Sequence, residues 1–240
     1  MGPLVRRKFA EWTEGLDTRQ SMISIFYHIR DIPYMLVTDP GFHDPERGPE
    51  IILEQGRGSC APKHHLLAAM FRMLNVNVVY ATFPFLWAAQ EIRYPTALRE
   101  HAEDLPVAYH LACRVQIGCR WALVDATWDP PLKNAGFPVN LHWDGIADTR
   151  CAVKPLDAPS HANVMKRMPG ESCRAGEPVP SGREKNHWEA EDRERYYREM
   201  VGRRTAPDKQ RTSRFYEELN TWMEQVRGPE HRSGKCEFSE

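Results

Sequence analysis

Apolar residues recur at helical spacing in three stretches of the chain. Met22, Ile25, Phe26 and Ile29 mark an early amphipathic helix that ends near Ile32-Pro33. Leu66, Leu67, Met70, Phe71 and Leu74 mark a second, and Phe215, Leu219, Trp222, Met223 and Val226 a third. Between the second and the third the period changes to two. Residues 76–82 read as a strand, and across residues 107–117 the odd positions are mostly apolar while the even ones are mixed. Gly118-Cys119 forms a two-residue turn with glycine first, as a type II′ turn prefers, and residues 120–127 are the returning strand.

The second helix has a start signal with chemical content. Ser59 is placed as its N-cap, Pro62 falls in the first turn where a missing N–H is harmless, and Cys60 lies between them. The free N–H groups and positive dipole end of a first turn favour a thiolate, and helix starts with nearby basic groups bring cysteines from about 8.5 to roughly 3.5–7.5. Gly56 and Gly58 let the chain bend just before the thiol.

Counting across the hairpin places two further groups. If Ile117 pairs with Arg120, then Ala112 pairs with Asp125 and His110 with Thr127. His110 and Asp125 then share one face as diagonal neighbours, with the small Ala112 leaving room between them. Trp121 and Leu123 lie on the same face, so the Cys60 helix is expected to cover it. A cysteine at a helix start with a histidine and an aspartate on paired strands is the minimum set for thiol-based acyl transfer. The competing reading of Asp125 is a cap for the turn at residues 127–130, with Asp129 then orienting the histidine.

The remaining segments carry less signal. Residues 39–49 read as a loop, and residues 83–106 as a long, partly aromatic connection that buries its rings for stability or walls a pocket. Residues 1–168 form the expected core domain, 169–183 a linker rich in Pro, Gly and charge, and 184–240 a charged helical extension. The apolar face of the last helix is expected to pack on its own domain, with self-association through the C-terminal helices as the alternative.

Composition narrows the function. The chain has 240 residues, a formal net charge of −1, 41% hydrophobic and 27% charged residues, which supplies no field for nucleic acid or an anionic membrane. No apolar run approaches a membrane span, and the first eight residues lead into polar sequence, not a signal-peptide core. Six cysteines without repeated spacing point to free thiols in a reducing cytoplasm. By default Cys113, Cys119, Cys151, Cys173 and Cys236 are small core residues. Lys63, His64 and His65 read as surface or packing residues. A metal held by Cys60 and His64, four residues apart, is the minor alternative, because neither CxxC nor HExxH occurs.

The run Gln55-Gly56-Arg57-Gly58-Ser59-Cys60 leading into residues 66–74, then Tyr109-His110, then residues 121–128, resembles the transglutaminase-like (transglutaminase core) superfamily. The upstream helix over residues 25–34 is similar to the one that precedes the cysteine in that group, and the likeness runs from about Leu16 to Leu132. The resemblance implies a papain-like α+β core with the nucleophile-bearing helix packed on an antiparallel sheet. It also implies Cys60 as nucleophile, His110 as general base and acid, and Asp125 orienting the histidine. Two positions depart from the usual pattern: Leu111-Ala112 after the histidine, and Asn75 where a glycine follows the helix. The implied activity is peptidase, amidase or transglutaminase-like transfer through a thioester, with no cofactor and with a protein, peptide or small amide as substrate. The backbone N–H of Cys60 holds the oxyanion, and Gln55 and Trp87 are candidates for the second donor. The alternatives are an arylamine N-acetyltransferase-like enzyme and a non-catalytic binding module of the same fold.

Overall fold

The computed structural model describes residues 1–156, 197, 199, 200, 202, 203 and 205–228. Helices α1 (Pro3–Thr13), α2 (Thr18–Asp31), α3 (Gly48–Gln55) and α4 (Cys60–Met73) precede strand β1 (Val78–Phe85). Helix α5 (Thr96–Glu103), strands β2 (Ala108–Ile117) and β3 (Arg120–Val124) and the C-terminal helix α6 (Ala206–Arg227) follow. The three strands form one antiparallel sheet in the order β1-β2-β3, so the architecture is α+β.

Local chemistry explains the elements that the site needs. Asp17 and Gln20 close a capping box at the start of α2. The hairpin has the expected register, Ile117 opposite Arg120 through Cys113 opposite Val124. Gly118 has φ +60, and Asn75 is the lone non-glycine with positive φ among the described residues, so Cys119 follows with negative φ as a II′ turn demands. Asn75 itself, at φ 58, ends α4 in the left-handed conformation that a glycine usually supplies. At Gly58 a Cβ would lie 2.8 Å from Ile52 Cδ1, so any larger residue ahead of Cys60 would force the Ile52 side chain to shift.

Two apolar clusters meet at the start of α4. One fills the space between α2, α4 and the sheet, with Ile25, Phe26, Leu67, Phe71, Leu111, Cys113 and Val115 fully buried. The other gathers Tyr34, Phe85, Trp87, Trp128, Phe137, Phe215, Leu219 and Met223, and Cys60 belongs to it.

Several expectations are corrected. Only the start of α4, through Cys60 and His64, reaches His110 and Asp125. Its body packs on the alternate face, where Cys113 Sγ donates to His64 O at 3.4 Å and His65 meets Tyr80 edge-on. Strand β3 stops at Val124, three residues early, because Asp125 bonds its own following backbone. The loop of residues 39–49 contains a 3-10 turn and the start of α3, and the long connection contains the end of β1 and all of α5. Lys63, His64 and His65 are buried, not on the surface. Cys119 is disulfide-bonded, against the expectation of free thiols throughout. The apolar face of α6 is spent on its own core, with Phe215, Leu219 and Met223 buried. The linker expected over residues 169–183 lies outside the described residues, as does most of the charged stretch before α6. Among the described residues no helix is long and apolar enough to cross a membrane.

Candidate active site

Cys60 is the first residue of α4 and is 8% exposed. Ser59 before it has extended backbone (φ −85, ψ −174), yet its hydroxyl makes no capping bond. Pro62 has no N–H to offer. The N–H groups of Cys60 and Ala61 therefore open the helix without a side-chain cap.

The imidazole of His110 hydrogen-bonds the carboxylate of Asp125, Nε2 to Oδ2 at 2.8 Å, with both residues buried. That bond takes Nε2 and leaves Nδ1 as the ring nitrogen for the Cys60 thiol, which shares the cavity lining with His110. Burial disfavours the charged imidazole, but the Asp125 charge, its hydrogen bond and the Cys60 contact outweigh it and raise His110 well above its ordinary value.

Asp125 is held as an anion by four donors. Oδ2 accepts from His110 and from Ala152 N at 2.7 Å, and Oδ1 accepts from Thr127 N at 3.2 Å and Thr127 Oγ1 at 2.6 Å. Burial alone would raise its pKa; the His110 charge and hydrogen bond, with the Thr127 hydrogen bond, hold it well below the usual carboxylate range. The segment after residue 140 supplies the rest of the cradle, since Asp125 N donates to Thr149 Oγ1 at 2.8 Å and Asn140 Nδ2 to Asp125 O at 2.9 Å. Asp125 thus both orients His110 and caps the turn at Thr127, and the two readings of this residue coincide.

Asp129, the alternative orienter, is engaged elsewhere. It accepts from Tyr34 N at 2.8 Å and from Arg227 at the end of α6 through Nε and Nη2. His64 is equally committed: Nδ1 donates to Cys60 O at 2.8 Å and Nε2 accepts Ala126 N–H at 3.2 Å. Both nitrogens are occupied, which removes the Cys60–His64 metal site. The 3.6 Å approach of His64 Nε2 to Asp125 Oδ1 is no ion pair, because burial drives His64 down to about 4 and Nε2 carries no proton. Lys63 spends its ammonium on three carbonyls, Arg30 O, Ile32 O and Thr127 O, at 2.9, 2.8 and 2.7 Å.

A cavity of about 620 Å³ opens over the thiol. Cys60 and His110 lie in its lining, and Tyr34, Phe85, Trp87, Trp128 and Tyr216 form much of the wall. The aromatic connection therefore does both things the sequence allowed, packing in the core and walling a pocket. Gln55 is exposed at the end of α3 and outside this lining, which removes it as an oxyanion donor. Trp87 lines the cavity, and its Nε1 has no partner among the described residues.

Cys151, read from the sequence as a small core residue, is only partly buried and lies beside the His110–Asp125 pair. The ligand atoms of His110, Asp125 and Cys151 lie within 4.8 Å of one another, which suits either a second thiol for the imidazole or a metal. Burial raises the Cys151 thiol above its ordinary value, and the residue is not in the cavity lining. Thr127 had a local signal, a hydroxyl two residues past a strand-end aspartate. Ala152 N, Thr149 and Arg227 had none, because they arrive from distant sequence.

No family model and no curated protein matches the chain. Among solved structures the chain is similar to a putative cysteine protease from Cytophaga hutchinsonii, at 18% identity and a TM-score of 0.37. The likeness covers 54% of this chain and 38% of that one, so the chain spans well under half the length of the structure it matches.

Proposed function

We propose that the protein is a cysteine-nucleophile enzyme of the transglutaminase-like kind, hydrolysing or transferring an acyl group from an amide through a thioester. The observation that carries this reading is the shared cavity lining of Cys60 and His110, with Asp125 bonded behind the imidazole.

In this reaction the Cys60 sulfur adds to the carbonyl carbon, and the Cys60 backbone N–H holds the developing oxyanion. The C–N bond then breaks as the His110 imidazolium gives its proton to the departing nitrogen. Water adds to the thioester, returning the thiol and releasing an acid; an amine in place of water gives a new amide. Asp125, fixed by Thr127 and Ala152, keeps Nε2 protonated and leaves Nδ1 as the nitrogen that takes the thiol proton.

The test is the rate of Cys60 alkylation by iodoacetamide against pH, in the native protein and in His110→Ala. The expected result is fast alkylation persisting well below neutral pH and lost in the variant. An ordinary thiol profile near pH 8.5 in both proteins would sink the reading.

A second reading assigns the nucleophile to Cys151, on the strength of its approach to His110 and Asp125. Peptide mapping of the alkylated protein separates the two. Label on Cys60 that survives in Cys151→Ser supports the first reading, and label confined to Cys151 supports the second.

A further inference from the structure

The walls of the cavity are joined at one end. Leu36 and the α6 side chains Thr212, Ser213 and Tyr216 face it from opposite elements. Beside them Asn220 pairs with the backbone of Leu36 as a strand neighbour would: Leu36 N donates to Oδ1 and Nδ2 donates to Leu36 O, both at 2.9 Å. Seven residues on, Arg227 Nη2 donates to Tyr34 O at 2.7 Å and anchors the same seam through Asp129. Tyr34 and Leu36 are both cavity residues. Among the described residues this seam closes the cavity between α6 and the segment after α2 at Leu36, so a group that enters over the thiol meets a wall on that side.

The interior is suited to a compact guest. At about 620 Å³ the cavity falls within the range of small-molecule pockets, and most of its exposed lining is apolar, although His43, Asp44 and Lys209 also border it. Three polar side-chain atoms in the lining residues have no partner among the described residues: Ser59 Oγ, Trp87 Nε1 and Thr212 Oγ1. Their residues are 4%, 3% and 6% exposed, and buried polar groups of this kind are ordinarily satisfied.

Resting on the Cys60 reading above, we propose that the acyl part of the substrate is a single compact, uncharged, aromatic or branched terminal group. The enzyme then acts on small amides or esters, not on bonds inside a polypeptide, and α6 determines the specificity. In the acylation step the bond from Cys60 sulfur to the carbonyl carbon forms and the bond to the departing nitrogen or oxygen breaks. The leaving group takes the His110 proton if it is an amine, or departs as an anion if it is 4-nitrophenolate.

The experiment follows acylation of Cys60 in the full chain by intact mass, using three 4-nitrophenyl esters: acetate, 3-phenylpropanoate, and an N-acetylated tetrapeptide ending in Phe. Rates are divided by those for a free thiol, to remove intrinsic reactivity. The expected order is 3-phenylpropanoate at least about tenfold above acetate, from burial of the ring, with the peptide ester below both. Ser213→Trp, which fills the cavity, is expected to bring the first ratio near one, and Tyr216→Ala to shift the preference to a longer arylalkanoate. A peptide ester as fast as 3-phenylpropanoate, or a ratio near one in the native protein, overturns the proposal while leaving the Cys60 reading intact. If no ester acylates Cys60 and its alkylation follows an ordinary thiol, the Cys60 reading falls and this proposal with it.

Discussion

Arg227, the last residue of α6, faces Asp129 through two hydrogen bonds, Nε to Oδ2 at 2.8 Å and Nη2 to Oδ1 at 2.9 Å, with both side chains almost wholly buried. The pair joins the C-terminal helix to the turn two residues beyond Thr127, the residue that clamps Asp125. A pair this deeply buried contributes little net stability when whole, because desolvation offsets most of the attraction, but breaking it leaves a charge without a partner.

Arg227→Ala is therefore expected to cost about 3–5 kcal/mol in urea unfolding, leaving Asp129 with the Tyr34 N–H as its remaining donor. The double variant Arg227→Met with Asp129→Leu should recover most of that loss. A single variant that costs under about 1 kcal/mol would mean that water reaches Asp129 in the native protein.

His64 and His110 lie with ring centroids 5.9 Å apart and respond to pH in opposite directions. Burial depresses His64 from about 6.5 to about 4, so the unfolded chain binds a proton that the folded one refuses. Its contribution to stability is full above about pH 6.5 and is lost as pH falls toward 4, on the order of 3 kcal/mol. Urea midpoints at pH 7 and 4.5 should separate more in the native protein than in His64→Gln. Equal separations would place a proton on His64 in the folded state.

For His110, burial opposes the charge but Asp125 and Cys60 raise the folded value well above the ordinary one. The contribution is thus fully present below the unfolded value near 6.5 and lost as pH rises through the folded value. Comparing native protein with His110→Gln across neutral to alkaline pH should show the stability difference shrinking as pH rises. A difference that holds constant would mean the imidazole is neutral throughout, which would also remove the acid that the proposed acylation step needs.

Legibility in the sequence followed the range of each interaction. The hairpin register was readable because Gly118 fixes it within two residues, and parity then placed His110 and Asp125 on one face. Parity gives a face and not its cover, so it did not reveal that α4 packs behind Leu111, Cys113 and Val115. Helices α3 and α5 offer only eight residues each, and α5 shows its period in just two buried positions, Leu98 and Ala102, too short a pattern in either for periodicity to find. The Asp129–Arg227 pair spans 98 residues and the Asp125–Ala152 bond 27, and neither leaves a local trace. The thiol was readable because its helix start is local, whereas the approach of Cys151 depends on the long return of residues 140–153.

Lys63 sets desolvation against hydrogen bonding, and magnitudes decide between them. Burial lowers its amine to about 7, which taken alone makes it a liability that an apolar side chain would relieve. Yet three carbonyls at 2.7–2.9 Å match the three protons of the charged form, and a neutral amine would point a lone pair at one of them. Hydrogen bonds to a charged group contribute about 1.5–3 kcal/mol each, and the orphaned carbonyls of Arg30, Ile32 and Thr127 would stay buried. Lys63→Met is accordingly expected to destabilise the fold by about 2–4 kcal/mol and to slow Cys60 alkylation, because Thr127 O is the anchor of the turn that holds Asp125. Urea unfolding and the iodoacetamide rate, taken on the same preparation, read both effects. A variant as stable as the native protein would show that desolvation wins, and that Asp125 is held without help from this lysine.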